Sequence, residues 1–260
     1  MTLSKTSGFW LLTSTSIRIL LMKIALIGYG KMGQLVEKIA IQRGHTIVSR
    51  ISQKSPLSKE AIKDSQICID FSHPEAVLKN VQHVADAGKN LILGTTGWHE
   101  HMDSIKTIVS KHQIGFLFSA NFSIGVNLFL AIVNEAARLM NEFPDYDVGM
   151  VELHHNKKAD SPSGTALAIA QKLLANIQRK KHIRKDTPEA RIPPDALHIS
   201  SLRCGSIPGT HSVIFDSPAD TITLTHEARS REGFALGAVA AAEWLGGKKG
   251  FFTIEDMFRG

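Results

Sequence analysis

Short apolar runs recur along the first part of the chain, at residues 24–27, 46–49, 67–71, 90–93 and 115–118. Between most of them lie stretches with apolar residues at helical spacing, at 31–43, 74–87 and 99–111. Strands alternating with helices predict a parallel, doubly wound sheet. The near-continuous apolar character of the runs fits strands buried on both faces. Residues 50–59 are polar and read as a loop. The pattern then changes. Residues 126–143 read as one long amphipathic helix stopped at Pro144, followed by a strand at 148–153. A helix opens at Pro162-Ser163-Gly164, with Ser163 as its natural N-cap. It is expected to end in the basic run 179–185 as a solvated helix end. Three β-rich segments follow near 198–203, 211–215 and 221–226. An Ala-rich helix at 234–245 and a short tail that includes residues 254–258 close the pattern.

Composition narrows the class. The chain has 260 residues, 43% of them hydrophobic and 21% charged, which predicts one or two globular domains and excludes a disordered chain. The two cysteines, Cys68 and Cys204, lie far apart without a CxxC, so neither a disulfide framework nor a thiolate zinc site is implied. A net charge of +6 suits an anionic ligand but is too mild and scattered to argue for nucleic acid. The opening residues 1–21 faintly resemble a signal peptide, but Thr13 to Ser16 and Arg18 interrupt the apolar run. They are expected to be an unstructured extension, with Met22 as the working start. No segment approaches the 18 apolar residues of a membrane span, so a soluble cytoplasmic protein is expected, without membrane partners.

The first chemical signal is Gly28-Tyr29-Gly30-Lys31-Met32-Gly33, a full G-x-G-x-x-G between a predicted strand and a predicted helix. In that context it reads as a dinucleotide cradle. Gly28 permits the tight turn, Gly30 lets the backbone approach a pyrophosphate, and Gly33 lets helix and strand pack closely. An NAD site usually places an acid at the end of the second strand; here the run ends Val48-Ser49-Arg50. Arg50, with Lys54 nearby, suits a 2′-phosphate, so NADPH is expected to bind at least as well as NADH.

The second signal is the stretch from Glu152 to Thr165, which packs His154, His155, Lys157 and Lys158 just before the Ser163-capped helix. Cationic side chains and helix amides together make a site for carboxylates or phosphates. Histidine adds proton delivery near neutral pH, and a lysine crowded by other cations in a dry pocket is an alternative donor. A metal site is not expected, because adjacent strand residues point to opposite faces and no third ligand is evident.

The chain resembles the 4-hydroxy-tetrahydrodipicolinate reductases, also called dihydrodipicolinate reductases, of bacterial lysine and diaminopimelate synthesis. The resemblance covers about residues 22–260 and rests on the GYGKMG cradle and on Ile69-Asp70-Phe71-Ser72. Gly94-Thr95-Thr96-Gly97, residues 119–127, the segment ELHHNKKADSPSGTA and Arg231 also carry it. It implies an α/β fold: a Rossmann-like doubly wound parallel sheet plus an inserted α+β substrate domain with an open mixed sheet. The expected boundaries are 22–124 with 231–260 for the dinucleotide-binding domain, and 125–230 for substrate binding and oligomerisation.

The implied reaction is hydride transfer from NADPH or NADH onto a cyclic, unsaturated dicarboxylate. His154 and Lys158 are the implied proton-donor candidates. His155, Gly164, Thr165 and Arg231 are the implied substrate ligands. Phe71, Ser72, Gly94, Thr95, Thr96, Ala120, Asn121, Phe122 and Ser123 join the cradle and Arg50 at the cofactor. A homotetramer is implied as well. The cradle has one glycine fewer than many members, and the acid typical after the second strand is missing. Two other readings stay open at this point: another NADP-dependent dehydrogenase of amino-acid metabolism, and a non-catalytic NAD(P)H-sensing regulator.

Overall fold

The computed structural model describes residues 21–185 and 191–258. The expectation for residues 1–20 therefore lies outside the described residues. The first apolar runs all become strands: β1 (Lys23–Ile27), β2 (Thr46–Ile51), β3 (Ile67–Asp70), β4 (Asn90–Leu93) and β5 (Gly115–Phe118). Helices α1 (Lys31–Gln42), α2 (Val77–Asp86) and α3 (Met102–His112) connect them. Successive strand residues point to opposite faces. Ile24 and Leu26 of β1 enter a core covered by α1, while Ala25 and Ile27 enter a second core under α2 and α3. Both faces being apolar, the strands read as continuous hydrophobic runs.

The second half begins with α4 (Ile124–Asn141), β6 (Asp147–His154) and α5 (Gly164–Asn176). Four strands follow: β7 (His182–Arg184), β8 (Ala196–Arg203), β9 (Thr210–Asp216) and β10 (Thr221–Glu227). They form a mixed five-stranded sheet ordered β10-β9-β6-β8-β7. Val148 and Met150 of β6 pack with Phe129 and Val133 of α4 and Ile169 and Leu173 of α5. The alternate residues Gly149, Val151 and Leu153 stay partly exposed.

The chain then returns to the first sheet. Helix α6 (Glu232–Leu245) buries Ala235, Ala238, Val239, Ala241, Ala242 and Leu245 in the same core as α1. Glu243 of α6 accepts two bonds from Arg43 at 2.7 Å each and lies 2.8 Å from His45, tying α6 to the end of α1. Strand β11 (Gly250–Thr253) adds a sixth parallel strand beside β5, and α7 (Ile254–Phe258) ends the described chain. A Cβ on Gly237 would collide with the carbonyl of Phe122. Gly237→Ala is therefore expected to cost about 3 kcal/mol, the upper end for overpacking, because backbone yields less than a side chain. A denaturant melt near wild-type stability would refute that packing.

Three expectations need correction. Strand β2 runs through Arg50 to Ile51, so Arg50 is a strand residue and not the start of a loop. The helix before the basic run stops at Asn176, and the run itself forms a turn and β7. Lys180 is not solvated: its buried ammonium donates to the carbonyls of Pro194 and Ala196 at 2.9 and 2.8 Å and pairs with Asp147. Pro194 lies just before β8 and Ala196 is its first residue, so the buried lysine supplies a donor to carbonyls at the head of that strand. The tail, for which the sequence pattern predicts no element, supplies the edge strand β11 and the short helix α7.

Candidate active site

Small residues hold the turn between β1 and α1. The amides of Gly28 and Tyr29 both donate to the carbonyl of Ile51, at 3.1 and 3.0 Å. Gly28 sits at φ +80°, and a Cβ there would collide with the carbonyl of Phe71. A Cβ on Gly33 would lie 2.8 Å from the Gly28 oxygen. Gly30 differs, since nothing lies within 4 Å of where its Cβ would be. Gly30 caps α1 without a side-chain bond, and the first turn of the helix, which includes Lys31, has no acid. The first-turn amides of a helix, which have no intrahelical acceptor, the open space at Gly30 and a positive helix end fit a pyrophosphate. These residues therefore fit a nicotinamide dinucleotide.

The ends of β3 and β4 flank this cradle. Asp70 is wholly buried and accepts bonds from the Ser72 amide at 2.7 Å, Asn80 at 2.9 Å and the Thr95 hydroxyl at 3.4 Å. Burial pushes its pKa up against the pull of these bonds. A Cβ on Gly94 would enter the ring of Phe71, which meets Phe122 edge-on at 6.1 Å. The side chains of Thr95 and Phe122, expected at the cofactor, are thus committed to the interior. Arg50, expected to suit a 2′-phosphate, pairs with Glu37 of α1.

A cleft of about 840 Å³ opens between the two sheets, within the ordinary range for small-molecule sites. From the first half it is lined by Met32, Thr96, Ala120, Asn121 and Ser123. From the second half come His154, His155, Lys158, Gly164 and Thr165, and Arg231 joins them from the head of α6. The cradle glycines, Lys31, Arg50, Phe71, Ser72, Gly94, Thr95 and Phe122 do not line it. The two halves touch where Asn121 Nδ2 donates to Thr165 Oγ1 at 3.4 Å.

The chemistry within the cleft follows from its elements. Ser163 accepts a bond from the Ala166 amide at 3.1 Å, capping α5 as expected and aiming its first turn into the cleft. Lys158 Nζ lies 2.7 Å from Asp160 Oδ1, and that bond lowers the pKa of Asp160. The buried His154 Nδ1 lies 2.7 Å from Glu152 Oε2. Its Nε2 lies toward Gly209 in the cleft wall. Burial lowers the pKa of His154; Glu152 opposes this, and Lys158 and Arg203 add to it. Glu152 itself is wholly buried. Burial alone would raise its pKa, but bonds led by Arg203 at 2.7 Å hold it down to about 2.

Three partners of His154 were not assigned from sequence: Glu152, Arg203 and His211. Glu152 shares the His154 face because it lies two residues earlier on β6. His211 and Arg203 arrive through cross-strand register, Glu152 opposite His211 and His154 opposite Arg203. His211 is pushed down to about 4 by burial and then by the charge of His154. One donor atom from each of Glu152, His154 and His211 lies within 4.8 Å of the others, so His154 does have further potential ligands. Arg203 already pairs with Glu152, and that positive charge disfavours a dication there. Neither cysteine lines the cleft. Cys68 is wholly buried, which pushes its thiol up to about 12.

Fold and site together define a two-sheet α/β protein with a dinucleotide cradle and an anion-receiving cleft. Residues 22–122 match the model for "Dihydrodipicolinate reductase, N-terminus", and residues 125–258 match "Dihydrodipicolinate reductase, C-terminus". A 4-hydroxy-tetrahydrodipicolinate reductase of Christiangramia forsetii is 40% identical over 91% of this chain and 97% of its own. One from Archaeoglobus fulgidus is 35% identical over 91% and 99%. A solved dipicolinate-bound dihydrodipicolinate reductase from Paenisporosarcina shares the fold, with TM-score 0.75 at 20% identity, covering 91% of this chain and 99% of that one. The chain belongs to the dihydrodipicolinate reductase family.

Proposed function

We propose that this enzyme reduces 4-hydroxy-tetrahydrodipicolinate to tetrahydrodipicolinate with NADPH or NADH, the 4-hydroxyl leaving as water, in lysine and diaminopimelate biosynthesis. One observation carries the reading: cofactor-side residues and the cationic cluster line a single cleft, joined by Asn121 and Thr165. When bound, the reduced nicotinamide supplies the hydride. The cradle around Gly28, Gly30 and Gly33 holds the pyrophosphate, and Thr96, Ala120 and Asn121 place the nicotinamide end. His155, Lys158, Arg231 and the amides of Gly164 and Thr165 hold the two substrate carboxylates. One of these takes the place of Asp160 beside Lys158.

His154 delivers the proton. In the free enzyme its pKa is lowered, first by burial. A dianion beside it offsets Lys158 and raises that pKa, so substrate binding itself favours the acid form. No described helix is long and apolar enough to cross a membrane. We place the enzyme in the cytoplasm and take it as a homotetramer. The dinucleotide-binding unit is 22–124 with 231–260, and the substrate and assembly unit is 125–230.

The decisive assay follows loss of reduced nicotinamide with the condensation product of pyruvate and aspartate semialdehyde. Consumption with that substrate, and none with aspartate semialdehyde alone, is the expected result. Consumption with the semialdehyde alone would favour a different dehydrogenase. Sedimentation checks the tetramer separately.

A further inference from the structure

β2 ends without an acid, yet a carboxylate stands at its end. Glu37 reaches across from α1, with its side chain 14% exposed against 46% for Arg50. Arg50 donates Nε to both Glu37 oxygens at 3.1 Å, and its Nη2 bonds Glu37 Oε1 as well. Tyr29, the residue between the first two cradle glycines, donates its hydroxyl to Glu37 Oε2. The guanidinium also lies over the Tyr29 ring, 5.8 Å from its centroid. The Tyr29 amide is fixed to Ile51, so the whole cluster is anchored to the cradle.

In a doubly wound cradle, the end of the second strand is where the adenosine ribose is recognised. A lone arginine there favours the 2′-phosphate of NADPH, and a lone acid favours the free hydroxyl of NADH. This chain presents both at once, already paired. The pair has no net charge. An incoming 2′-phosphate gains Arg50 only by sharing it with Glu37, whose own charge repels the phosphate.

We propose that Glu37 determines cofactor choice: by neutralising Arg50 it makes the cradle nearly indifferent to the 2′-phosphate, so both nucleotides are used. The proposal rests on the dinucleotide reading of the cradle above. Glu37 touches neither substrate nor the nicotinamide end, so its effect should show in cofactor affinity and not in turnover.

The test is fluorescence titration of the full chain with NADPH and with NADH. Wild type is expected to bind both within about fivefold of each other, as expected where exposed paired charges contribute little. Glu37→Gln keeps the side-chain shape and removes the charge. It should tighten NADPH about tenfold and leave NADH nearly unchanged, since an unpaired guanidinium makes a charge-assisted bond to phosphate. The gain should shrink at high salt. In the double variant Glu37→Gln/Arg50→Gln the gain should vanish, which ties it to Arg50 and not to a change in the helix. Equal NADPH affinity in wild type and Glu37→Gln overturns the proposal, as does a gain that survives loss of Arg50. A wild-type chain that binds neither nucleotide overturns the dinucleotide reading, and this proposal with it.

Discussion

Replacing His154 by Gln is expected to lower kcat about 10²–10⁴-fold, the usual worth of a positioned general acid. Affinity for NADPH should hardly change, because His154 lies on β6 and no cradle residue depends on it. Glutamine fills much of the same space and still hydrogen-bonds, so the buried network around Glu152 should survive. The pH profile makes the test sharper. His154 is useful only when protonated, and its pKa in the free enzyme lies below the ordinary 6.5. The value of kcat/KM should therefore fall as pH rises through that lowered pKa. In the substrate complex the dianion raises it, so kcat should fall at higher pH than kcat/KM does. His154→Gln should remove this limb. Weak NADPH binding with normal turnover, or an unchanged limb in the variant, would assign the proton to another group. Lys158 is then next, since it lies in the same cleft.

Much of the architecture was legible because burial on two faces leaves a mark. Strands β1 and β3 to β5 are apolar at nearly every position, and the intervening helices show their own spacing. The cradle and the α5 cap were legible for a similar reason: a positive φ, a close backbone approach and a capping hydroxyl each demand particular residues. Long-range pairing was not. Nothing local to Glu37 and Arg50 says that they meet, since helix rotation sets their approach. Nor does anything local to His211 announce that β9 lays it opposite Glu152. Lys180 misled because a basic run in a polar segment looks solvated until the carbonyls of Pro194 and Ala196 are placed above it. Sequence spacing carries what one element needs for itself. It carries little of what one element supplies to another.

Glu152→Ala is expected to destabilise the fold by about 3–5 kcal/mol, the cost of breaking a buried pair from one side. The carboxylate is wholly buried, and its partners come from three elements. Arg203 of β8 donates to it at 2.7 Å, and the Ser163 amide at the head of α5 donates at 3.2 Å. His154 of β6 lies beside its other oxygen at 2.7 Å. Alanine takes the carboxylate away from all three. Arg203 keeps some access to water and a bond to the Asp160 carbonyl at 2.7 Å, which favours the lower end of the range. Glu152→Gln retains an acceptor for Arg203 and Ser163 but loses the charge. Its cost should be smaller, about 1–3 kcal/mol. The sign with pH follows from the carboxyl being held at about 2 against an ordinary 4.5. A depressed folded-state pKa contributes stability that is complete above the ordinary value and is lost as pH falls toward the folded one. Wild type and Glu152→Gln should therefore differ most above pH 4.5 and converge as pH drops from there toward 2. Denaturant melts across that window decide the matter. An alanine variant within about 0.5 kcal/mol of wild type, inside the scatter of ordinary surface changes, would mean that this carboxylate does not hold the three elements together.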